Sequence, residues 1–227
     1  MLYLWVIILK KKYSMAEIKK GILGGFSGKV GPVVGANWRG KDIIRSTPKS
    51  SSRPKTDKQV VQQLKFKTAI AFLTPLRNIQ SRFFGADVGV KSRVNLATSY
   101  FINNAVEIED DLPVVVYNKV LITKGDLTGF QVLEAVAEAG AKLKFTWQNN
   151  AIQGNALATD KVSVVCYFEE TGTFEMFEEI AARSEATVSV TLPSAYAGME
   201  TQVYAYLNNE LQTQACNSVY LGAIALL

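Results

Sequence analysis

Seven of the chain's 16 glycines fall between positions 21 and 40, at Gly21, Gly24, Gly25, Gly28, Gly31, Gly35 and Gly40. Glycine loses more backbone freedom on folding than any other residue, so this stretch cannot sustain a helix and favours turns and bulged strands. Val30, Val33, Val34, Trp38, Ile43 and Ile44 lie between and beyond the glycines and suit short strands. The spacing predicts two extended segments, 29–35 and 37–45, paired as a hairpin. Residues 46–55 follow with two prolines, small polar residues and cations, which reads as an extended linker. Such a linker buries too little to fold alone. Residues 15–56 are therefore expected to form a basic, glycine-rich arm that orders against another surface. Its candidate partner-binding residues are Lys29, Val33, Val34, Trp38, Arg39, Lys41, Ile43 and Arg45. Trp38 beside Arg39 suits an apolar groove or a nucleic-acid base. The glycines match no phosphate-binding pattern: Gly28-Lys29 is followed by Val30, position 23 is Leu, and Gly25, Gly28 and Gly31 are three apart.

The net charge of +5 conceals a division along the chain. Residues 1–94 hold 19 Lys and Arg against 4 Asp and Glu, a net of +15; the remainder hold 6 against 16, a net of −10. The basic part suits an anionic partner, either nucleic acid or the acidic part of another copy. Lys49, Arg53, Lys55, Lys58 and Lys65 are the further candidates for phosphate contact. The chain has no His, which removes Ser-His, Cys-His and His-metal hydrolase chemistry. Two Cys cannot build a structural zinc site by themselves. Two acidic groups, Glu107 with Glu109, Asp110 and Asp111, and Glu169 with Glu170, Glu175, Glu178 and Glu179, lack the calcium-loop pattern. They read as solvated faces or as a docking surface for a basic arm. No catalytic residue, cofactor or metal is expected.

Residues 1–9 read MLYLWVIIL and are followed by three lysines. Nine apolar residues fall short of the roughly 20 that cross a bilayer, and the charge stands on the wrong side for a secretory signal. Residues 1–14 are expected to be a leader, or an extension ahead of a start at Met15. With no secretory signal, the expected setting is the cytoplasm or a phage particle.

Thr56 with Gln59 fits a capping box, and Val60, Val61, Leu64, Thr68, Ala71 and Phe72 follow at helical spacing. Further helices are predicted over 75–84 and 92–105. Beyond Pro113, short apolar runs alternate with turn signals, which predicts strands at 114–123, 142–147, 161–169, 173–177, 187–192, 201–207 and 218–224. Seven such strands indicate an immunoglobulin-like sandwich with Trp147 in its core. The expected fold is α+β, with an arm over 15–56, a helical region over 57–111 and the sandwich over 112–227. Cys166 and Cys216 are predicted to be free thiols, because an intervening strand holds them beyond disulfide reach.

The blocks GILGGFSGKVGPVVGANWRGKDIIRSTPK at 21–49, KTDKQVVQQLKFK at 55–67, AFLTPL at 71–76 and CNSVYLG at 216–222 resemble a Bacteroidetes family that is a domain of unknown function. The resemblance runs from about Met15 to the end of the chain. It implies a bacterial or bacteriophage-associated origin and carries no functional residues. The expected role is that of a non-enzymatic assembly protein that binds itself or another protein through the basic arm. The alternative is a nucleic-acid-binding protein using the cations of 15–94.

Overall fold

Gly31 and Pro32 decide the topology of the N-terminal sheet. Gly31 takes φ +55°, and Pro32 has no N–H to give a ladder, so the chain turns here. The segment expected as one strand over 29–35 is therefore two strands joined by this turn. The structure, a computed structural model, describes residues 16–18, 25–38, 41–48, 54–86 and 91–227. The expected leader over 1–14 and the start at Met15 lie outside the described residues. The chain divides into two compact units, Met1–Pro54 and Lys55–Leu227.

The first unit is a four-stranded antiparallel sheet in the order β1 (Glu17–Ile18), β2 (Phe26–Val30), β3 (Val33–Trp38) and β4 (Lys41–Ser46). Gly35 faces Gly28 across the β2–β3 pair, and a Cβ at Gly35 would sit against the carbonyl and ring of Phe26. Glycine is needed there so that the Phe26 ring can lie flat on the strand. Gly35 is the one buried residue among the described residues of this unit.

The second unit opens with α1 (Asp57–Leu73), closed by the expected capping box: Gln59 N donates to Thr56 Oγ1, and Thr56 N donates to Gln59 Oε1 at 3.1 Å. The second helix, α2, is Arg77–Phe83; Pro75 and Leu76 lie in the turn before it, so it starts later than expected. Ser92 caps α3 (Arg93–Tyr100), which runs into a π-helical turn over Phe101–Ala105. A hairpin follows, β5 (Val106–Glu109) with β6 (Leu112–Val115). Its turn is Asp110-Asp111, with φ of 48° and 62°, a left-handed pair that short acidic side chains tolerate. The acidic run at 107–111 is thus a hairpin.

The sandwich consists of β7 (Gln131–Glu138), β8 (Lys142–Gln148), β9 (Lys161–Phe168), β10 (Thr173–Ala182), β11 (Thr187–Thr191), β12 (Glu200–Asn208) and β13 (Val219–Ala225). Three strands in the order β11-β8-β7 form one sheet, and four in the order β10-β9-β12-β13 form the other. One strand of the sandwich differs from expectation. The run at 114–123 breaks after Val115 into a single 3-10 turn over Tyr117–Lys119. The first sandwich strand is β7, whose Ala- and Glu-rich sequence lacks β propensity. Pairing of Ala135 and Ala137 with Phe145 and Leu143 of β8 holds it extended.

β9 and β12 are buried on both faces, with Val162, Val164, Cys166, Val203, Ala205 and Leu207 on one and Val165, Tyr204 and Tyr206 on the other. The first set fills the space between the sheets with Leu143, Phe145 and Trp147 of β8. The second set meets the helices. Phe72 of α1 contacts Tyr167 and Phe174 at 4.9 and 5.0 Å between centroids, and Phe83 of α2 lies 6.0 Å from Tyr206. The helical region thus covers the outer face of the four-stranded sheet and forms one unit with the sandwich. Cys166 and Cys216 are free and buried, and β12 separates β9 from β13 as expected.

Candidate assembly face

Cross-strand register decides which arm residues stand together. Lys29 pairs with Val34, Val34 with Arg45, Ala36 with Ile43, and Trp38 with Lys41. Directly opposed residues share a face of a sheet. Six of the eight expected arm residues, Lys29, Val34, Trp38, Lys41, Ile43 and Arg45, therefore lie on one face. Val33 does not: it opposes Ser46 and belongs to the other face with Ile44 and Asp42. Val33 directly precedes Val34 on β3, and adjacent residues of a strand point to opposite faces. Arg39 lies outside the described residues.

This face combines three cations with an apolar centre, and by the same register Glu17 of β1, opposite Ser27, is the one carboxylate among its described residues. Trp38 is 53% exposed and Ile43 37%. On the opposite face Asp42 accepts from Asn37 Nδ2 at 2.8 Å, which removes that carboxylate from the cationic side. All six residues of β4 are exposed, and β4 has a strand on one side only.

Five further cations are expected to contact phosphate. Lys49 and Arg53 lie outside the described residues. Lys55, Lys58 and Lys65 belong to the second unit, where Lys55 Nζ donates to Gln63 Oε1 at 2.7 Å and Lys65 Nζ to the Val106 carbonyl at 3.3 Å.

Two of the concave sites among the described residues of the second unit bear on binding. One is a groove of about 400 Å³ between α1 and the tip of the β9–β10 hairpin, lined by Leu64, Ala71, Phe72, Tyr167 and Phe174, with Lys67 at its margin. Burial, and then the neighbouring Glu169 carboxylate, raise the Tyr167 and Tyr117 hydroxyls above their ordinary value, so both stay protonated. The other is a cleft of about 380 Å³ lined by Arg82, Arg93, Lys124 and Asp126. Arg82 is engaged there by Glu178 and by Gln212, and Lys124 lies 5.7 Å from the Tyr100 ring.

The expected acidic surface follows the β9–β10 hairpin. Glu175 accepts from Tyr196 Oη at 3.0 Å, and Glu179 from Asn208 and Gln212 at 3.0 and 2.8 Å. Among the described residues no group of three or more His, Cys, Asp or Glu is placed to hold a metal ion. No helix among them is long and apolar enough to cross a membrane.

Sequence reasoning missed the buried Arg183. Its guanidinium lies 3.0 Å from Asp160, donates to Asn150 Oδ1 at 2.5 Å, and also reaches the carbonyls of Thr128 and Gly129. It ties three loops to the end of β10. A single Arg after the run Ile180-Ala181-Ala182 was the only available signal.

The sequence matches a family of unknown function, DUF6266, over residues 25–222. No curated protein matches it. The sandwich has structural matches among fibronectin type III domains. The chicken CNTN1 FN1–FN3 domains match at 9% identity and TM-score 0.36, over 45% of this chain and 34% of theirs. The chain therefore spans about a third of the length of that structure. The fn3 domain of the human collagen alpha-1(XX) chain matches at 13% identity and TM-score 0.32, over 44% of this chain and 87% of that domain. An fn3 domain of human contactin 1 matches at 4% identity and TM-score 0.30, over 46% and 83%.

Proposed function

We propose, from the premise that the chain belongs to the family of unknown function DUF6266, that it is a non-enzymatic assembly protein that associates through the N-terminal sheet. One observation carries this reading. Among the described residues of its unit the sheet is a single layer, and one face holds Val34, Ala36, Trp38 and Ile43 amid Lys29, Lys41 and Arg45. A sheet gains stability by burying an apolar face against another layer. Trp is a favoured anchor for such an interface, and surrounding cations steer the encounter. A Bacteroidetes origin and a cytoplasmic or phage-particle setting accompany this reading.

The test is multi-angle light scattering on the full chain across a concentration series. The wild type is expected to exceed the monomer mass, and Trp38→Ser with Ile43→Asp to return it to the monomer. A wild type that stays monomeric throughout refutes the reading.

The same face favours a second reading. Trp38 among three cations is a platform on which an unpaired base could stack. That reading expects binding of single-stranded DNA that weakens steeply with salt and is lost in Trp38→Ser, from a protein that remains monomeric.

A further inference from the structure

The β9–β10 hairpin opposes the N-terminal sheet in charge and resembles it in edge exposure. Between Val162 and Ala182 the sequence has five carboxylates and no cation. Among the described residues β10 is an outer strand of its sheet, paired with β9 alone. Its ladder is regular from Thr173 to Phe177, then shifts register before Ala181, with Glu179 at φ 57°. The unpaired edge is thus confined to five residues, close to the length of β4. Phe174 and Met176 point to the helical side of this edge, where Phe174 lines the groove and Met176 is 39% exposed.

An exposed strand edge is a template for another strand, and natural sheets guard it with charge and bulges. The carboxylates on this edge repel a second acidic edge. They attract a basic one, and the same chain carries such an edge in β4. A groove of about 400 Å³ is near the lower end of the roughly 300–1,000 Å³ range for small binding pockets, so it has room for one or two side chains.

We infer that the edge of β10 together with the adjoining groove is the acceptor for β4 of a second copy. This inference rests on the assembly reading and names the surface which that reading leaves open. β4 lies along Thr173–Phe177 and extends the sheet by main-chain hydrogen bonds. Its Ile43 and Trp38 face turns toward Phe174, Met176 and α1, and Lys41 and Arg45, on that same face, meet the carboxylates that flank it on the helical side, Glu169 and Glu178. Donor and acceptor are different surfaces of one chain, so the contact is head-to-tail and closes into a ring or continues as a filament.

A charge-swap mixing experiment on the full chain tests this. Lys41→Glu with Arg45→Glu is expected to lose assembly, as is Glu169→Lys with Glu178→Lys, and an equimolar mixture of the two is expected to regain it. Cross-linking gives a measurement independent of charge. Ile43→Cys and Met176→Cys chains, mixed under mild oxidation, should form a disulfide-linked heterodimer, because both native cysteines are buried. Assembly that is abolished by the β4 reversal but untouched by the β10 reversal overturns the acceptor and leaves the assembly reading standing. So does failure of the mixture to assemble, or absence of the heterodimer. A wild type that is monomeric at every concentration overturns both.

Discussion

Two buried polar side chains with opposite surroundings set the residue-scale expectations. Arg183 and Asp160 are both fully buried and bonded to each other, and Arg183 is surrounded by carbonyl acceptors. Removing one member of such a pair leaves the other charge buried, at about 3–5 kcal/mol. Arg183→Met is expected to lower the unfolding free energy by that amount, read as a lower urea midpoint, and Arg183→Met with Asp160→Leu to cost less than the single change. Gln80 is as deeply buried, yet neither atom of its amide has a protein partner. Replacing it with the similarly shaped Met should stabilise the fold by about 1–3 kcal/mol, read as a rise in the same midpoint. The cysteines give a pH expectation. Burial first of all pushes the Cys166 thiol from 9.0 up to about 12 and Cys216 up to about 11. Above pH 9 the unfolded chain releases these protons while the native chain keeps them. Stability is thus fully retained below pH 9 and declines as pH rises toward 11 and 12. Denaturation midpoints across this range check the slope; a stability that increased from pH 9 to 11 would contradict the burial of both thiols.

Elements that rest on local rules were the legible ones. The Thr56–Gln59 capping box, the helix beginning near residue 92 and the strand at 142–147 were all readable, because caps and periodicity involve neighbours within a few residues. Thr56→Ala should cost about 1 kcal/mol, seen as a loss of helical circular dichroism at the first turn of α1. The first unit depends on Gly35. A Cβ there meets the carbonyl of Phe26, a backbone atom that cannot move aside. Gly35→Ala is therefore expected to break the β2–β3 pair and abolish assembly, with the main thermal transition of the second unit unchanged. Two elements were not legible. β7 carries Ala and Glu where strand formers are usual, and it is held by its partner β8. The Gly31-Pro32 turn split a run whose valines read as one strand, and the resulting register put Lys29 on the face of Val34, where one continuous strand would have put it with Val33.

At the scale of the whole molecule, the division of charge is the feature with consequences for behaviour in solution. Exposed charges are screened beyond roughly 8–10 Å at ordinary ionic strength. Assembly steered by the basic face should form more slowly as salt rises, while its apolar contacts keep the dissociation rate nearly constant, which stopped-flow light scattering can separate. The sequence alone determined the basic and acidic halves, the absence of His and six of the seven sandwich strands, because each depends on residue identity and short-range period. Tertiary structure alone decided three further matters. Register, which no local signal encodes, gathered six arm residues onto one face. Packing of Phe72 and Phe83 onto the outer face of β9, β10 and β12 joined the helices to the sandwich. Burial of Arg183 within reach of Asp160 and Asn150 locked loops that are far apart along the chain. All three are contacts between distant segments, and a side chain's partner across such a distance is set by the folded backbone rather than by its neighbours in sequence.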